Sequence, residues 1–186
     1  MTRLNIIEGT DEYWIVGLSM KVRNELGFSM LESVYERALM QEFQKAGMPA
    51  ERQVMMKVYY DGRVIDGYRA DIVVDNRIVL ELKTVSRLYA VHRRQIRSYL
   101  EASGIKSGLL INFGSPRGLE CERFERRGSC DSFPGICPIP DTELFPVKKT
   151  EDAESGSEWK PESKPEEDTA SLSLTERVSR ILGSDI

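Results

Sequence analysis

The spacing of apolar residues changes near residue 50, and this change limits the chain to folds that combine helices with a sheet. Before it, apolar residues recur every three or four positions over Asp11–Leu26 and Met30–Ala46, which predicts two helices that end at Gly27 and Gly47. After it, residues 54–60 alternate between apolar and polar side chains, the pattern of a strand with one covered face. The chain is therefore predicted to be an α/β protein.

Turn residues and the same two periods predict the rest of the order. The further elements are strands over Arg63–Val74 and Arg77–Lys83, a helix over Ala90–Ser103, a strand over Lys106–Phe113 and a weakly marked edge strand over Leu119–Glu125. Two turn signals, Asp61-Gly62 and Asp75-Asn76, separate the first three strands. The predicted order is thus α-α-β-β-β-α-β. Residues expected to face the core include Leu31, Val34, Trp14, Tyr35, Tyr59 and Tyr60.

The C-terminal part of the chain differs in composition from the rest. Residues 141–186 carry 12 acidic and 6 basic side chains, whereas the preceding 140 residues carry 18 acidic and 20 basic ones. We predict one domain over residues 1–128 and a disordered tail rich in Pro, Glu and Ser over residues 129–186. A capping box at Ser173 and Glu176 predicts a short helix at 173–183, which either docks on a partner or frays on its own.

Composition restricts the location and the partners of the protein. Apolar runs are much shorter than the roughly 20 residues of a membrane span, and residues 1–12 do not form a secretory signal. The three cysteines, Cys121, Cys130 and Cys137, favour a reducing compartment and lack the spacing of a zinc or iron–sulfur site. A cytoplasmic protein is predicted, or a nuclear one if the source is eukaryotic. The mildly basic body is compatible with a polyanionic partner without establishing one.

Three charged residues interrupt the predicted strands where apolar residues are expected. Glu81 and Lys83 lie on one face of a strand, and pairing across the Asp75-Asn76 turn brings Asp71 beside them. Such groups are costly to bury and are usually kept for catalysis or for a metal ion, and carboxylate oxygens suit Mg²⁺. From spacing alone, a solvated surface salt bridge is an equally good interpretation.

Five ordered sequence blocks settle the choice between these readings. They are Leu26–Tyr35, Gly67–Asp71, Glu81–Lys83, His92-x-x-Gln95-x-x-x-Tyr99 and Gly108–Phe113. Together they resemble the GxxExxY family of the PD-(D/E)XK nuclease superfamily, over roughly residues 10–125. The resemblance implies a restriction-endonuclease-like core, with a mixed central β-sheet flanked by helices. The chain departs from the family pattern at Ser29, where the naming glycine is usual, and at Phe28, where proline is usual.

The resemblance also implies roles for individual residues. Asp71 and Glu81 correspond to ligands of Mg²⁺ or Mn²⁺, and Glu32 to an additional acidic ligand from a helix. Lys83 corresponds to the catalytic lysine. Gln95 corresponds to the glutamine of the helical motif of the exonuclease-like branch, and it completes the predicted catalytic set. Tyr99 corresponds to the tyrosine of that motif and is expected to contact the substrate.

Basic residues of the third helix are further candidates for substrate binding. His92 can contact phosphate, although a structural contact at the helix terminus explains it equally well. Arg93, Arg94 and Arg97 can neutralise phosphates, and a solvated helix face is the competing interpretation.

The resulting hypothesis is a metal-dependent phosphodiesterase that acts on nucleic acid through a water activated by Mg²⁺; DNA is favoured as the substrate over RNA, and the choice between them stays open. The alternative is an accessory module of DNA metabolism that keeps the nuclease fold and binds without cleaving. A third idea is that the acidic tail mimics nucleic acid and covers the arginine-rich face. A protein partner bound through the tail and a homodimer both stay open.

Overall fold

The computed structural model describes residues 6–126 and 172–183. Its elements are α1 (Asp11–Leu26), α2 (Glu32–Ala46), β1 (Ala50–Tyr60), β2 (Arg63–Val74), β3 (Ile78–Lys83), α3 (Ala90–Ser103), β4 (Ser107–Asn112), β5 (Glu120–Glu125) and α4 (Leu174–Leu182). The predicted order is confirmed, and β5 adds the edge strand that was only weakly marked. The tail expected over residues 129–186 lies largely outside the described residues.

The five strands form one mixed sheet in the order β1-β2-β3-β4-β5. The β1–β2, β2–β3 and β4–β5 pairs are antiparallel, and β3 and β4 are parallel because α3 connects them as a crossover. Helices α1 and α2 cover one face of the sheet around Leu80, Leu109 and Ile111. Helix α3 covers the other face around Val79 and Leu110. The predicted mixed sheet with helices on both faces is therefore confirmed.

Helix α2 begins later than predicted, and this moves its first turn away from the core. Leu31 is an extended N-cap residue with 73% of its surface exposed, and Val34 is also exposed, so the expectation that both face the core is wrong. Tyr35 is the first side chain of α2 that is fully enclosed. Its ring stacks on Phe113 with centroids 4.3 Å apart, and its hydroxyl donates to the carbonyl of Gly27. The start of α2 is thus fixed at the end of the sheet, where Glu32 projects.

Helix α4, near the end of the chain, packs against helices α1 and α2. Val178 is fully buried within the core formed by α1 and α2, and Leu174, Ile181 and Leu182 pack around it. A Cβ atom added at Gly17 would lie 2.8 Å from Leu182, which indicates close approach of α4 to α1. Within residues 6–126 and 172–183, no helix is both long and apolar enough to cross a bilayer.

We expect Val178→Asp to detach α4 from the body. Burying an unpaired carboxylate among aliphatic side chains has a large free-energy cost, so α4 should no longer pack against α1 and α2. The expected loss is about 2–4 kcal/mol of unfolding free energy, measured by denaturant titration. Ser179→Asp places the same charge on the adjacent exposed position and should cost less than about 0.5 kcal/mol. Equal stability of the two variants would contradict the packing of α4.

Candidate active site

Asp71 lies where alternate residues of β2 change from one face of the sheet to the other. Ala70 packs in the layer covered by α3, whereas Ile72, two residues later, packs in the layer of α1 and α2. Alternate residues of a regular strand lie on the same face, so the alternation is interrupted between these two positions. Gln53, in the segment of β1 that pairs here, has φ of +56°, a conformation that a non-glycine residue rarely adopts. Asp71 therefore lies at the point of β2 where this local irregularity occurs.

The register of β2 with β3 brings the two predicted carboxylates together. Ile72 pairs with Leu80, and Asp71 and Glu81 are the next residues along the two strands. The Oδ2 atom of Asp71 accepts a hydrogen bond of 2.8 Å from the amide of Leu82. Asp71 and Glu81 therefore lie side by side, as the pairing of the two strands across the Asp75-Asn76 turn predicted.

Glu81 and Lys83 form an ion pair inside the protein. Only 1% of the Glu81 side chain is exposed, and its Oε1 atom accepts a hydrogen bond from Nζ of Lys83. Its second oxygen, Oε2, is buried and has no hydrogen-bond partner among the described residues. A buried carboxylate oxygen without a partner is costly, so this atom marks a place where a ligand would be stabilising.

Burial and neighbouring charges shift the pKa values of this cluster. Burial, with a further contribution from the charge of Asp71, raises the pKa of Glu81 to about 7. Burial also raises the pKa of Asp71. For Lys83, burial acts to lower the pKa, but the hydrogen bond and charge of Glu81 outweigh it, so the pKa is raised and the ammonium is kept. The cluster thus places two carboxyl groups, from Asp71 and Glu81, near the single ammonium of Lys83.

Helix α2 contributes acidic side chains from its first two turns. The Oε1 atom of Glu32 accepts a hydrogen bond of 3.2 Å from the amide of Thr84, directly after β3. One turn later, buried Glu36 accepts hydrogen bonds from Nε of Arg52 and from the amide of Gln53 at 2.7 Å. The sequence analysis missed Glu36, although its position four residues after Glu32 places both on one helix face. The roles of Arg52 and Gln53 depend on tertiary contacts that no local pattern signals.

A second residue that the sequence analysis missed holds the segment that follows Lys83. Asn112 is completely buried at the end of β4. Its amide group donates to the carbonyl of Val85 at 2.8 Å, and its Oδ1 atom accepts from the amides of Val85 and Gly114 at 3.0 and 3.1 Å. The sequence does contain a signal for this residue, because Asn112 is the polar residue in the otherwise apolar segment 108–113. Asn112 therefore fixes the backbone beside the predicted catalytic lysine.

Helix α3 places Gln95 and Tyr99 over the site. Gln95 donates a hydrogen bond of 2.6 Å to the hydroxyl of Tyr99. Burial raises the pKa of Tyr99 to about 12, and the nearby carboxylates Glu81 and Asp71 add to this effect. The phenol therefore stays protonated near neutral pH and can act as a hydrogen-bond donor.

The predicted basic residues of α3 separate into different environments. Nδ1 of His92 accepts from the amide of Tyr89 at 3.2 Å, and burial, followed by the charge of Lys83, lowers the pKa of His92. Arg93 donates to Glu122 on β5, with Nε at 2.7 Å, so its charge is already paired. Arg94 and Arg97 face a groove between α3 and the β1–β2 hairpin. Among the substrate-binding candidates, the charge of Lys83 acts on His92, and the charges of Glu81 and Asp71 act on Tyr99.

Comparison with known protein families agrees with this geometry. A model of the PD-(D/E)XK nuclease superfamily matches residues 10–124, which is more than half of the chain. The chain belongs to the PD-(D/E)XK nuclease superfamily. The matched segment begins at the N-cap of α1 and ends within β5, so it contains the whole sheet and the charged cluster.

Other comparisons are more distant than the family match. The crystal structure of SSO0001 is 17% identical, with a TM-score of 0.42, 70% of this chain covered and 69% of that one. The alkaline exonuclease LHK-Exo from Laribacter hongkongensis is 12% identical, with a TM-score of 0.36 and coverages of 62% and 82%. The crystal structure of LHK-Exo in complex with dAMP is 11% identical to this chain, with a TM-score of 0.36. The match covers 63% of this chain and 83% of that one. No curated protein matches the chain.

The donor set of this PD-(D/E)XK nuclease superfamily member is compatible with a divalent cation. In the described part of the chain, no three acidic, histidine or cysteine side chains are gathered closely enough to enclose an ion by themselves. Mg²⁺, however, is commonly held by one or two carboxylates, with water and phosphate oxygens as the other ligands. Asp71 and Glu81 are such a pair, and the unpartnered Oε2 atom of Glu81 is a free hard donor. The residues therefore fit a divalent cation.

Proposed function

We propose that this protein is a metal-dependent phosphodiesterase of the GxxExxY type that cleaves nucleic acid, DNA rather than RNA. The observation that carries the proposal is the cluster of Asp71, Glu81 and Lys83, in which the Oε2 atom of Glu81 is buried and has no hydrogen-bond partner within residues 6–126 and 172–183. The superfamily match over residues 10–124 supports the reaction class. The resemblance of the Gln95 and Tyr99 motif to the exonuclease-like branch favours DNA.

In this proposal, Asp71 and Glu81 hold Mg²⁺ or Mn²⁺. Glu32, at the start of α2, is the third ligand and approaches the pair as the ion binds, because the three carboxylates are not gathered around one point in the described part of the chain. When bound, the ion supplies positive charge beside a phosphoryl oxygen and the acidity of its own water ligand. Asp71 and Glu32 are each fixed by a backbone amide, from Leu82 and Thr84 respectively. These contacts orient the carboxylates before a substrate arrives, which lowers the cost of assembling the site.

Lys83 supplies the positive charge that belongs to the protein itself. Its ammonium is paired with Glu81, whose hydrogen bond and charge, together with the charges of Glu32 and Asp71, raise its pKa and keep it protonated. In that state it can hold the attacking water in place and offset the charge that develops on the phosphate. Gln95 orients Tyr99 through their hydrogen bond, and the protonated phenol can donate to the substrate strand.

Cleavage that depends on a divalent ion is the expected result for the purified full-length protein. Labelled single-stranded, double-stranded and branched DNA and RNA are incubated with Mg²⁺ or Mn²⁺, and then with EDTA. Products should form only with the ion, and Asp71→Asn should reduce both cleavage and the thermal stabilisation that the ion produces. Stabilisation that depends on Asp71 without cleavage of any substrate would overturn the proposed activity and favour a binding module.

A further inference from the structure

An open groove lies between α3 and the distal part of the β1–β2 hairpin. It has a volume of about 350 Å³. Its lining residues are Lys57, Val58, Tyr59 and Tyr68 from the hairpin and Arg94, Arg97, Ser98, Glu101 and Ala102 from α3. We call this feature the hairpin–α3 groove.

The groove exposes aromatic rings that the sequence pattern assigned to the core. Tyr59 is only partly buried and Tyr60 is 67% exposed, so the expectation that both are core residues is wrong. The reason is that the hairpin is longer than the layers that cover it, and residues 63–69 of β2 are all exposed. Tyr68 is also exposed at the groove. Two tyrosine rings, from Tyr59 and Tyr68, therefore face a space that solvent can enter.

The charges of the groove favour an anionic ligand. Lys57, Arg94 and Arg97 line it, against one carboxylate, Glu101. Ion pairs formed within residues 6–126 and 172–183 involve none of these three basic side chains. Arg97 lies over the ring of Phe124 at 4.9 Å, a contact that orients the guanidinium without neutralising it.

The groove adjoins the candidate active site through the neighbouring rings of two tyrosines. The rings of Tyr68 and Tyr99 are 5.7 Å apart, and Tyr99 is hydrogen-bonded to Gln95. Tyr68 also lies on β2, only three residues before Asp71. A ligand that occupies the groove would thus lie next to the part of β2 that carries Asp71, a proposed metal ligand.

We propose that the hairpin–α3 groove binds a single strand of nucleic acid on its way to or from the active site. Lys57, Arg94 and Arg97 contact phosphates, and Tyr59 and Tyr68 stack on unpaired bases. In a duplex the base faces are covered by their neighbours, so exposed rings between basic side chains suit a strand with free bases. This inference rests on the proposed function and adds the substrate class.

The test measures binding separately from cleavage. Full-length Lys83→Ala protein, kept inactive in EDTA, is titrated with a fluorescein-labelled single strand and with the corresponding blunt duplex, and fluorescence anisotropy gives Kd. The single strand should bind more tightly than the duplex. Adding Tyr59→Ala should weaken single-strand binding by about 5- to 100-fold, the loss of one stacked base, and leave duplex binding nearly unchanged. Adding Arg94→Ala should reduce the slope of log K against log salt by about 0.7.

Tyr60→Ala and Arg63→Ala are matched controls at the tip of the same hairpin, because both residues lie outside the groove. Each should change Kd by less than about twofold. No detectable single-strand binding, or equal effects of Tyr59→Ala and Tyr60→Ala, would overturn the groove proposal even if the wild-type protein cleaves DNA. Strand binding that depends on Tyr59 in a protein that never cleaves would instead uphold the groove and reject the proposed phosphodiesterase.

Discussion

Lys83→Ala is expected to reduce the rate of metal-dependent cleavage by about 10²- to 10⁴-fold, the range for removing one catalytic charge or proton donor. The Lys83 ammonium is the cation paired with buried Glu81, and the carboxylates around it raise its pKa. An alanine there supplies neither a positive charge nor a donor for the attacking water. The measurement is the single-turnover cleavage rate at saturating Mg²⁺ with the preferred substrate.

Loss of Lys83 also leaves Glu81 without its partner, so a structural effect must be separated from a chemical one. Lys83→Met retains most of the side-chain volume and should fold, as judged by a cooperative thermal transition, while remaining inactive. Lys106→Ala removes a lysine from the exposed residue just before β4 and should retain full activity. If Lys83→Met keeps more than a tenth of the wild-type rate, the role assigned to Lys83 is wrong.

The elements that were predicted correctly are those determined by local signals. Helix α1 spans the predicted residues because Thr10 caps its start and Gly27 closes its end. The turn at Asp75-Asn76 has positive φ at both residues and fixes Val74 opposite Ile78. That register is enough to place Asp71 beside Glu81, so the proximity of these two carboxylates was predictable from spacing, whereas their role was not.

The errors arise where tertiary structure overrides a local pattern. Tyr60 continues the alternation of β1, but the sequence does not indicate that the covering layers stop short of the hairpin tip. The bend at Gln53 depends on a backbone conformation that its side chain does not favour. Arg93 was grouped with its neighbours by sequence, yet it meets Glu122 from a strand 29 positions away. Non-local partners of this kind are invisible to periodicity.

Gly114→Ala is expected to have the largest effect on stability of any small substitution near the site. A Cβ at this position would lie 2.6 Å from the amide nitrogen of Val85 and 2.7 Å from the carbonyl oxygen of Thr84. These are backbone atoms held by Asn112 and by the β3 strand, so they cannot rotate away as a side chain would. We expect a loss of about 2–3 kcal/mol, or a decrease in Tm of roughly 4–12 °C.

The same substitution should also impair cleavage, because the displaced segment directly follows Lys83. The amide of Thr84 donates to Glu32, so a shift of this backbone moves one proposed metal ligand relative to the other two. A displacement of about 1 Å at an active site can cost about 100-fold in rate. Cleavage is therefore measured well below the Tm of the variant, where the protein is folded and only the geometry differs.

Gly67→Ala is the matched control for Gly114→Ala, since its added Cβ would lie 3.0 Å from the Sδ atom of the exposed Met55 side chain. The Met55 side chain can move, so Gly67→Ala should lower the free energy of unfolding by less than about 1 kcal/mol and leave the cleavage rate unchanged. If the two glycine variants have equal Tm values, the contact between Gly114 and the Thr84–Val85 backbone is not tight. If Gly114→Ala is destabilised but fully active below its Tm, the site tolerates movement of Thr84, and Glu32 is then not a metal ligand held by this backbone.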